Sequence, residues 1–477
     1  MERQTAFKPA KALYTWLMGF LLVSYLYLIA IGSEIDDIPM WIWVLRVASV
    51  PLALWCGKLW KDNVFLLLCT YFAWFTLRAF IPNQSSFFSL DVSTNILSAL
   101  WLFASCYGLG RILPLRELKR FLGICAAIWI IGMVVSAALG IVAAWKDIHI
   151  SSLKEWYYSR RNMPLNNADN TFWGINASHR LSLPYYWGPI SGSIMSMTVI
   201  TSGVMAASVK NKFCKILYIL AIFPILLALA LTDSRTAFVT VAAGFGALTF
   251  IAVLRFSERK HPKDDSRKPW HVWFCAGAAM ILVFGITVLG ILKITPAFNE
   301  LKQRGLLVSV AVAEHEEKAK DTVEIVSRGF TGDNVLTARP EIWKSALTYI
   351  KDHPLTLLFG KSKEMTMSGV HRYAAHTHCM PLMALLESGI PGLLFYITFT
   401  LLMGIRTFRV IRRADLPLWL RLLAAVPISI LAGEPVECLT WLRSVQLPVV
   451  TVYYLTLGIL SVYGRKEKES LEKPNGI

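Results

Sequence analysis

The side chains of this sequence best suited to chemistry are two histidines, a few arginines and one carboxylate, set among long apolar runs. His376 and His378 close the stretch His371-Arg372-Tyr373-Ala374-Ala375-His376-Thr377-His378, just ahead of an apolar run near 380–404. Imidazole is the usual proton acceptor at neutral pH, so either histidine can deprotonate a hydroxyl brought to a membrane boundary. Positions two apart face differently on a helix and alike on a strand, so a helical segment would offer a substrate only one of them. A metal pair is the weaker reading, because no neighbouring Asp, Glu or Cys completes the usual ligand count. Solvated histidines without a catalytic task are the plain alternative.

Cations stand at two further places. Thr232-Asp233-Ser234-Arg235 breaks two apolar runs, and an ionisable residue at a membrane boundary is costly unless paired, wet or useful. The plain alternative is a turn in which Asp233 or Ser234 caps the next helix. Arg339 opens a second helix pattern, Arg339 to Lys351, with Pro340 in its first turn and His353-Pro354 at its end. A guanidinium beside the partial positive charge of a helix N-terminus suits an anion, phosphate above all; a salt bridge to Glu341 or Asp333 is the alternative. In that helix Ile342, Trp343, Ala346, Leu347 and Ile350 repeat at helical spacing, an apolar face for the membrane or for the bundle. Glu387, one or two turns into the run at 380, is a partner for a His or an Arg. Arg160, Arg161 and Arg180 add positive charge to a segment rich in Trp and Tyr, whose rings either stack on sugars or form an interfacial belt.

These residues must be positioned by helices in a membrane. Of 477 residues, 55% are apolar and 17% charged, against about 45–50% and about 25% in soluble domains, which excludes a soluble enzyme. Runs long enough to cross a bilayer lie near 12–31, 39–57, 63–80, 90–110, 121–143, 183–208, 213–231, 236–254, 271–292, 380–404, 417–433 and 445–463. With the N-terminus inside, the inner connections hold 25 Lys and Arg, whereas the four short outer ones hold only Arg235 and Arg443. Inner loops are the basic ones, so both termini are expected in the cytoplasm. The net charge of +17 is then a signal of orientation before it is one of nucleic-acid binding. The eight cysteines show no CxxC spacing or disulfide framework.

The expected fold class is an all-α polytopic membrane protein of about twelve transmembrane helices. Its parts are helices 1–9 over 1–292 with an outer loop at 144–182, an extracytoplasmic loop domain over 293–378, and helices 10–12 with a cytoplasmic tail over 379–477. The loop of 86 residues before the tenth helix is too long for a structureless link and is expected to be partly helical, with one helix at Val310 to Val326 and another at Arg339 to Lys351.

Three blocks resemble the O-antigen ligase and polymerase superfamily of membrane glycan transferases. Leu231-Thr232-Asp233-Ser234-Arg235-Thr236-Ala237 is similar to the family's LTxSRxA turn, and Arg339 with Trp343 to its R-x-x-x-W helix start. His353-Pro354-Leu355, Phe359-Gly360, His376-Thr377-His378 and Leu386-Glu387-Ser388-Gly389-Ile390-Pro391-Gly392-Leu393 resemble its closing block. Where that block has His-Asn, this chain has both His376-Thr377 and His378-Cys379; the polar Thr377 favours His376, and His378 stays a candidate.

The resemblance implies transfer of a glycan from an undecaprenyl-diphosphate carrier to an acceptor hydroxyl, on lipid A core or a growing polysaccharide. The place would be the outer face of a bacterial inner membrane, with no cofactor and no metal. Arg235 and Arg339 would stabilise the departing diphosphate, and His376 or His378 would take the acceptor's proton. Arg180, Arg161, Arg372, Glu387 and Trp343 are the candidate substrate contacts. Membrane lipids and the two glycans are the expected partners, and nucleic acid is not. Ligase and polymerase are not separated by the sequence. A twelve-helix transporter or flippase, with Arg46 as its midplane residue, is the rival from another class; the absence of a repeated half and the large outer loop weigh against it.

Overall fold

Apolar runs fold as helices in a membrane because hydrocarbon offers the backbone no partner outside its own segment. The computed structural model describes residues 58–78, 90–146, 148, 150–151, 172–175, 181–183, 188–232, 234–260, 270–303, 338–361, 379–433 and 447–465, with Thr15, Trp16, Met18, Gly19 and Leu54. Its helices are α1 (Asn63–Arg78), α2 (Leu90–Ile112), α3 (Leu115–Lys146), α4 (Gly188–Ser208), α5 (Lys212–Leu231), α6 (Arg235–Lys260) and α7 (Trp270–Gln303). They continue with α8 (Ala338–Asp352), α9 (Thr356–Phe359), α10 (Met380–Arg412), α11 (Leu418–Leu422), α12 (Ala425–Gly433) and α13 (Leu447–Tyr463).

Four described stretches, Leu115–Lys146, Lys212–Leu231, Thr236–Glu258 and Met380–Arg412, are long and apolar enough to cross a membrane. His271–Thr287, Leu418–Gly433 and Val452–Tyr463 are shorter apolar stretches. The protein is therefore a predominantly helical membrane protein. The runs expected at 12–31 and 39–57 lie almost wholly outside the described residues, as do the helix expected at Val310 to Val326 and Arg46. Three details refine the sequence reading. Helix α3 takes in the basic segment 115–120, and α7 runs on to Gln303, past the expected crossing. The run at 417–433 is divided at Leu423-Ala424 into α11 and α12. The exception to an all-α description is a small antiparallel sheet in the segment after α3. In it β1 (Ile150–Ser151) pairs with β2 (Phe172–Ile175), and β2 with β3 (Leu181–Ser182), in the registers Ile150↔Trp173 and Ile175↔Leu181. Trp173 Nε1 donates to Ser136 Oγ at 2.8 Å and ties this sheet to α3.

Side-chain exposure along the helices follows the lipid. On α10 the exposed residues Ile390, Leu394, Ile397, Leu401, Ile405 and Phe408 recur every three or four positions, while Phe399, Met403 and Val410 are buried. An apolar stripe of that length in water would drive association; against hydrocarbon it costs nothing. Helix α4 is the opposite case, buried at every position from 191 to 200, as expected of a helix in the middle of a bundle. It packs against α3, α5, α6 and α12.

Buried charge marks the two ends of α10. Near its C-terminal end Arg406 Nη1 lies 2.8 Å from Asp62 Oδ2. Near its beginning Glu387 Oε1 lies 2.5 Å from Lys361 Nζ. From Gly389 to Arg406 the helix rises about 26 Å at about 1.5 Å per residue, close to the ~30 Å of a bilayer core. The two pairs thus sit at opposite membrane boundaries.

Candidate functional site

The end of α10 that carries Glu387 is built on a break in the helix. Gly389 has φ 70° and ψ −167° inside α10, a conformation open to glycine and strained for any other residue. Pro391, two positions on, has no N–H to return to the carbonyl four residues back. Carbonyls released by the break find other donors, as buried backbone groups must. Leu386 O accepts from Lys361 N–H at 2.6 Å, and Ser388 O accepts from Trp74 Nε1 on α1 at 3.0 Å. Tyr71, one turn before Trp74, places its hydroxyl 3.3 Å from Ser388 Oγ and stacks on Phe395 with ring centroids 3.9 Å apart.

The partner of the break is the short stretch after α9. Gly360 has φ 85° and lies flat against the Glu387 carbonyl, while Gly389 lies against that of Leu358; a Cβ at either glycine would run into those backbone atoms. This close approach delivers Lys361 to Glu387. The lysine is 1% exposed and the carboxylate side chain 9%. The sequence pattern predicts a His or an Arg as the partner of Glu387; the structure pairs it with Lys361 instead. The Phe359-Gly360-Lys361 step, a glycine and a cation after His353-Pro354, was the available signal. Tyr71 and Trp74 carried none, since two aromatics on an apolar helix read as a membrane belt.

Helix α8 rests on the same part of α10. Ala346, Tyr349 and Ile350 are buried in one cluster with Leu386, against which Leu357, Leu382 and Leu385 pack. The apolar face foreseen for this helix therefore covers the bundle, rotated so that Tyr349 is buried and Leu347 is 55% exposed. Trp343 is half-buried on α8. Arg339 is the second residue of α8, about 16 Å along the axis from Ile350. His376, His378 and Arg372 lie outside the described residues. The chain between Lys361 and Cys379, which carries them, is held at both ends. It leaves beside Leu386 and returns at the start of α10, so its ends are about 10 Å apart along that helix.

The Thr232 to Arg235 turn belongs to another group of helices. Thr232 and Ser234 are buried, and Gly192 of α4 lies directly against both. Thr232 Oγ1 donates to Leu229 O at 2.7 Å, and Ser234 Oγ accepts from Ala237 N–H at 3.4 Å, the capping role foreseen for it. Arg235 is the first residue of α6, which packs on α4, α7 and α12. The described contacts thus join the helix of Trp343 and Arg339 to Glu387, and place Arg235 at the head of a different group. Asp233, Arg161 and Arg180 lie outside the described residues. Among the described residues no three His, Cys, Asp or Glu side chains gather as a metal site would require.

This is a polytopic membrane protein with buried charge at two boundaries, one of them joined to a broken helix. Residues 220–397 match the family model described as O-antigen ligase, the stretch that carries the motif blocks resembling the O-antigen ligase and polymerase superfamily. The matched stretch begins within α5, ends within α10, and takes in Arg235, Arg339, Trp343, Lys361, Arg372, His376, His378 and Glu387. No curated protein matches the chain.

Proposed function

We propose that the protein moves a glycan from an undecaprenyl-diphosphate carrier to an acceptor hydroxyl at the outer face of a bacterial cytoplasmic membrane, as an O-antigen ligase does. The supporting observation is the convergence, within the family-matched stretch, of the Arg339 helix and both ends of the histidine segment on the first turns of α10. In the reaction the acceptor oxygen attacks the anomeric carbon, and the carbon–oxygen bond to the diphosphate breaks. The diphosphate leaves with the bonding electron pair, and the acceptor proton passes to His376 or His378. A base in reach of the hydroxyl contributes about 10²–10⁴-fold. The charge growing on the diphosphate is met by Arg235 and Arg339, fixed cations in a site poor in water. One displacement inverts the anomeric centre. Trp343, Arg372, Arg161 and Arg180 are assigned to the glycan and the diphosphate, and Glu387 acts through Lys361 to hold the base of the histidine segment.

Purified protein given a lipid-diphosphate-linked oligosaccharide and lipid A core should release undecaprenyl diphosphate without ATP. Arg339→Lys should lose most turnover, because a point charge does not replace a planar two-pronged contact. Alanine at the true base should abolish transfer while donor binding persists. Full activity in Arg339→Lys and in both single histidine variants would end the proposal. Transfer onto the lipid-linked glycan in place of lipid A core would assign the polymerase form of the reaction.

A further inference from the structure

A cavity of about 330 Å³ lies between α3, α4, α11, α12 and α13, and it is not at the end of the bundle described above. Gly192, near the start of α4, touches the Thr232 to Ser234 turn; the cavity reaches Ser208, the last residue of α4. It is therefore near the boundary that the charge pattern assigns to the cytoplasm.

The cavity has two kinds of wall. Leu122, Trp129, Val426 and Leu455 are among its apolar sides, while Arg116, Lys119 and Arg120 stand at one end, and no acidic residue is among its lining. All three bases fall in the first two turns of α3. A helix N-terminus carries partial positive charge and disfavours cations, so these bases add to a field that an anion would relieve. Lys119 Nζ donates to Ser208 O at 2.9 Å, which pins it at the mouth, and Arg116 and Arg120 are exposed beside it. From Arg120 to Trp129 the cavity follows α3 for about 14 Å, half of the ~30 Å hydrocarbon core. That is the reach of one acyl chain within one leaflet. The next face of the same helix, Ile124, Ile128 and Ile131, is exposed as a lipid-facing surface is.

We infer that this cavity binds one anionic diacyl phospholipid, its phosphate on Arg116, Lys119 and Arg120 and one acyl chain along α3 toward Trp129. Basic pockets between transmembrane helices suit anionic head groups, and the apolar depth selects a lipid over a soluble phosphate. Lipid bound here would brace α3 against α13 and the α11–α12 turn.

The test is native mass spectrometry of the full chain in detergent with added phosphatidylglycerol. Wild type should retain one phosphatidylglycerol in preference to phosphatidylcholine, and inorganic phosphate should not displace it. Arg116→Ala with Arg120→Ala should weaken retention at least tenfold. Ala126→Phe, which fills the cavity and keeps every charge, should do the same. Lys210→Ala with Lys212→Ala removes exposed bases of the same end that do not line the cavity and should leave retention unchanged. Equal binding of phosphatidylcholine, displacement by phosphate, undiminished retention in either cavity variant, or equal loss in the lysine pair would each overturn the site.

Discussion

Each end of α10 buries an ion pair, and the two are fastened in different ways. At the Arg406 end the carboxylate is over-determined. Asp62 caps α1 by accepting from Val64 N–H at 3.0 Å and Phe65 N–H at 3.1 Å, and it accepts from Arg406 Nη1 at both oxygens. Arg406 also donates to Ser461 of α13, so three helices meet at one charge, far along α10 from its break. At the Glu387 end a lysine, a compact point charge on a flexible stem, reaches a carboxylate where the helix is broken. Lys361 and Glu387 lie on either side of the histidine segment in the chain, and their contact joins the two described stretches that flank it. The first pair fixes how helices stand; the second fixes where a length of chain between two helices begins and ends.

The largest effect is expected at the over-determined pair. Asp62→Ala strands a buried guanidinium, worth about 3–5 kcal/mol, and removes a helix cap, worth about 1 kcal/mol. Denaturation of the detergent-solubilised protein should register that loss, and glycan transfer should fall only in step with the folded fraction. A variant that stayed folded yet lost transfer would erase the distinction between the two ends.

The Lys361–Glu387 pair should behave otherwise. Glu387→Ala leaves a buried ammonium and should destabilise by about 3–5 kcal/mol. The double variant Lys361→Met with Glu387→Met replaces the pair by apolar volume, a change that is often neutral for stability, and should regain most of the loss. Its transfer should nonetheless remain at least about tenfold down, about 1.4 kcal/mol in barrier, because the ends of the histidine segment are no longer fixed by charge. Wild-type turnover in the folded double variant would reduce the pair to a fastening with no bearing on the site.

How much of this was legible beforehand depended on distance along the chain. Helix α8 was expected at Arg339 to Lys351 and spans Ala338–Asp352, because Pro340 and His353-Pro354 are local signals at its two ends. The rotation of its buried face toward Tyr349 was not legible, since periodicity defines a stripe and only the surface of α10 decides which part of it is covered. Glu387 stood out as an acid in an apolar run, but its partner depends on two glycines with positive φ that bring separate backbones into contact. At the other end Asp62 and Arg406 are 344 positions apart, and a loop-charge argument sees them only as members of two basic connections. Glu258 and Arg421, paired at 2.6 Å, are likewise far apart in the chain, one in a basic connection and one in an apolar run.

A third ion pair, at the Arg406 end but in water, calibrates the other two. Between α10 and α11, Arg413 meets both oxygens of Asp415, at 3.1 Å through Nε and 2.5 Å through Nη2, and the carboxylate side chain is 61% exposed. The hydrogen bonds from Arg413 hold the Asp415 carboxyl below its ordinary range. A carboxyl lowered in this way adds stability that is complete above its unfolded value of about 3.9 and is lost as pH falls through the lower folded value. Solvent screens so exposed a pair, and its contribution is expected below about 1 kcal/mol. Asp415→Asn should therefore leave unfolding at neutral pH almost unchanged and slightly flatten the acid limb of the stability curve, with transfer untouched. A loss there as large as that of Asp62→Ala would mean that burial is not what separates the strong pairs from the weak, and the contrast between the two ends of α10 would have to rest on geometry alone.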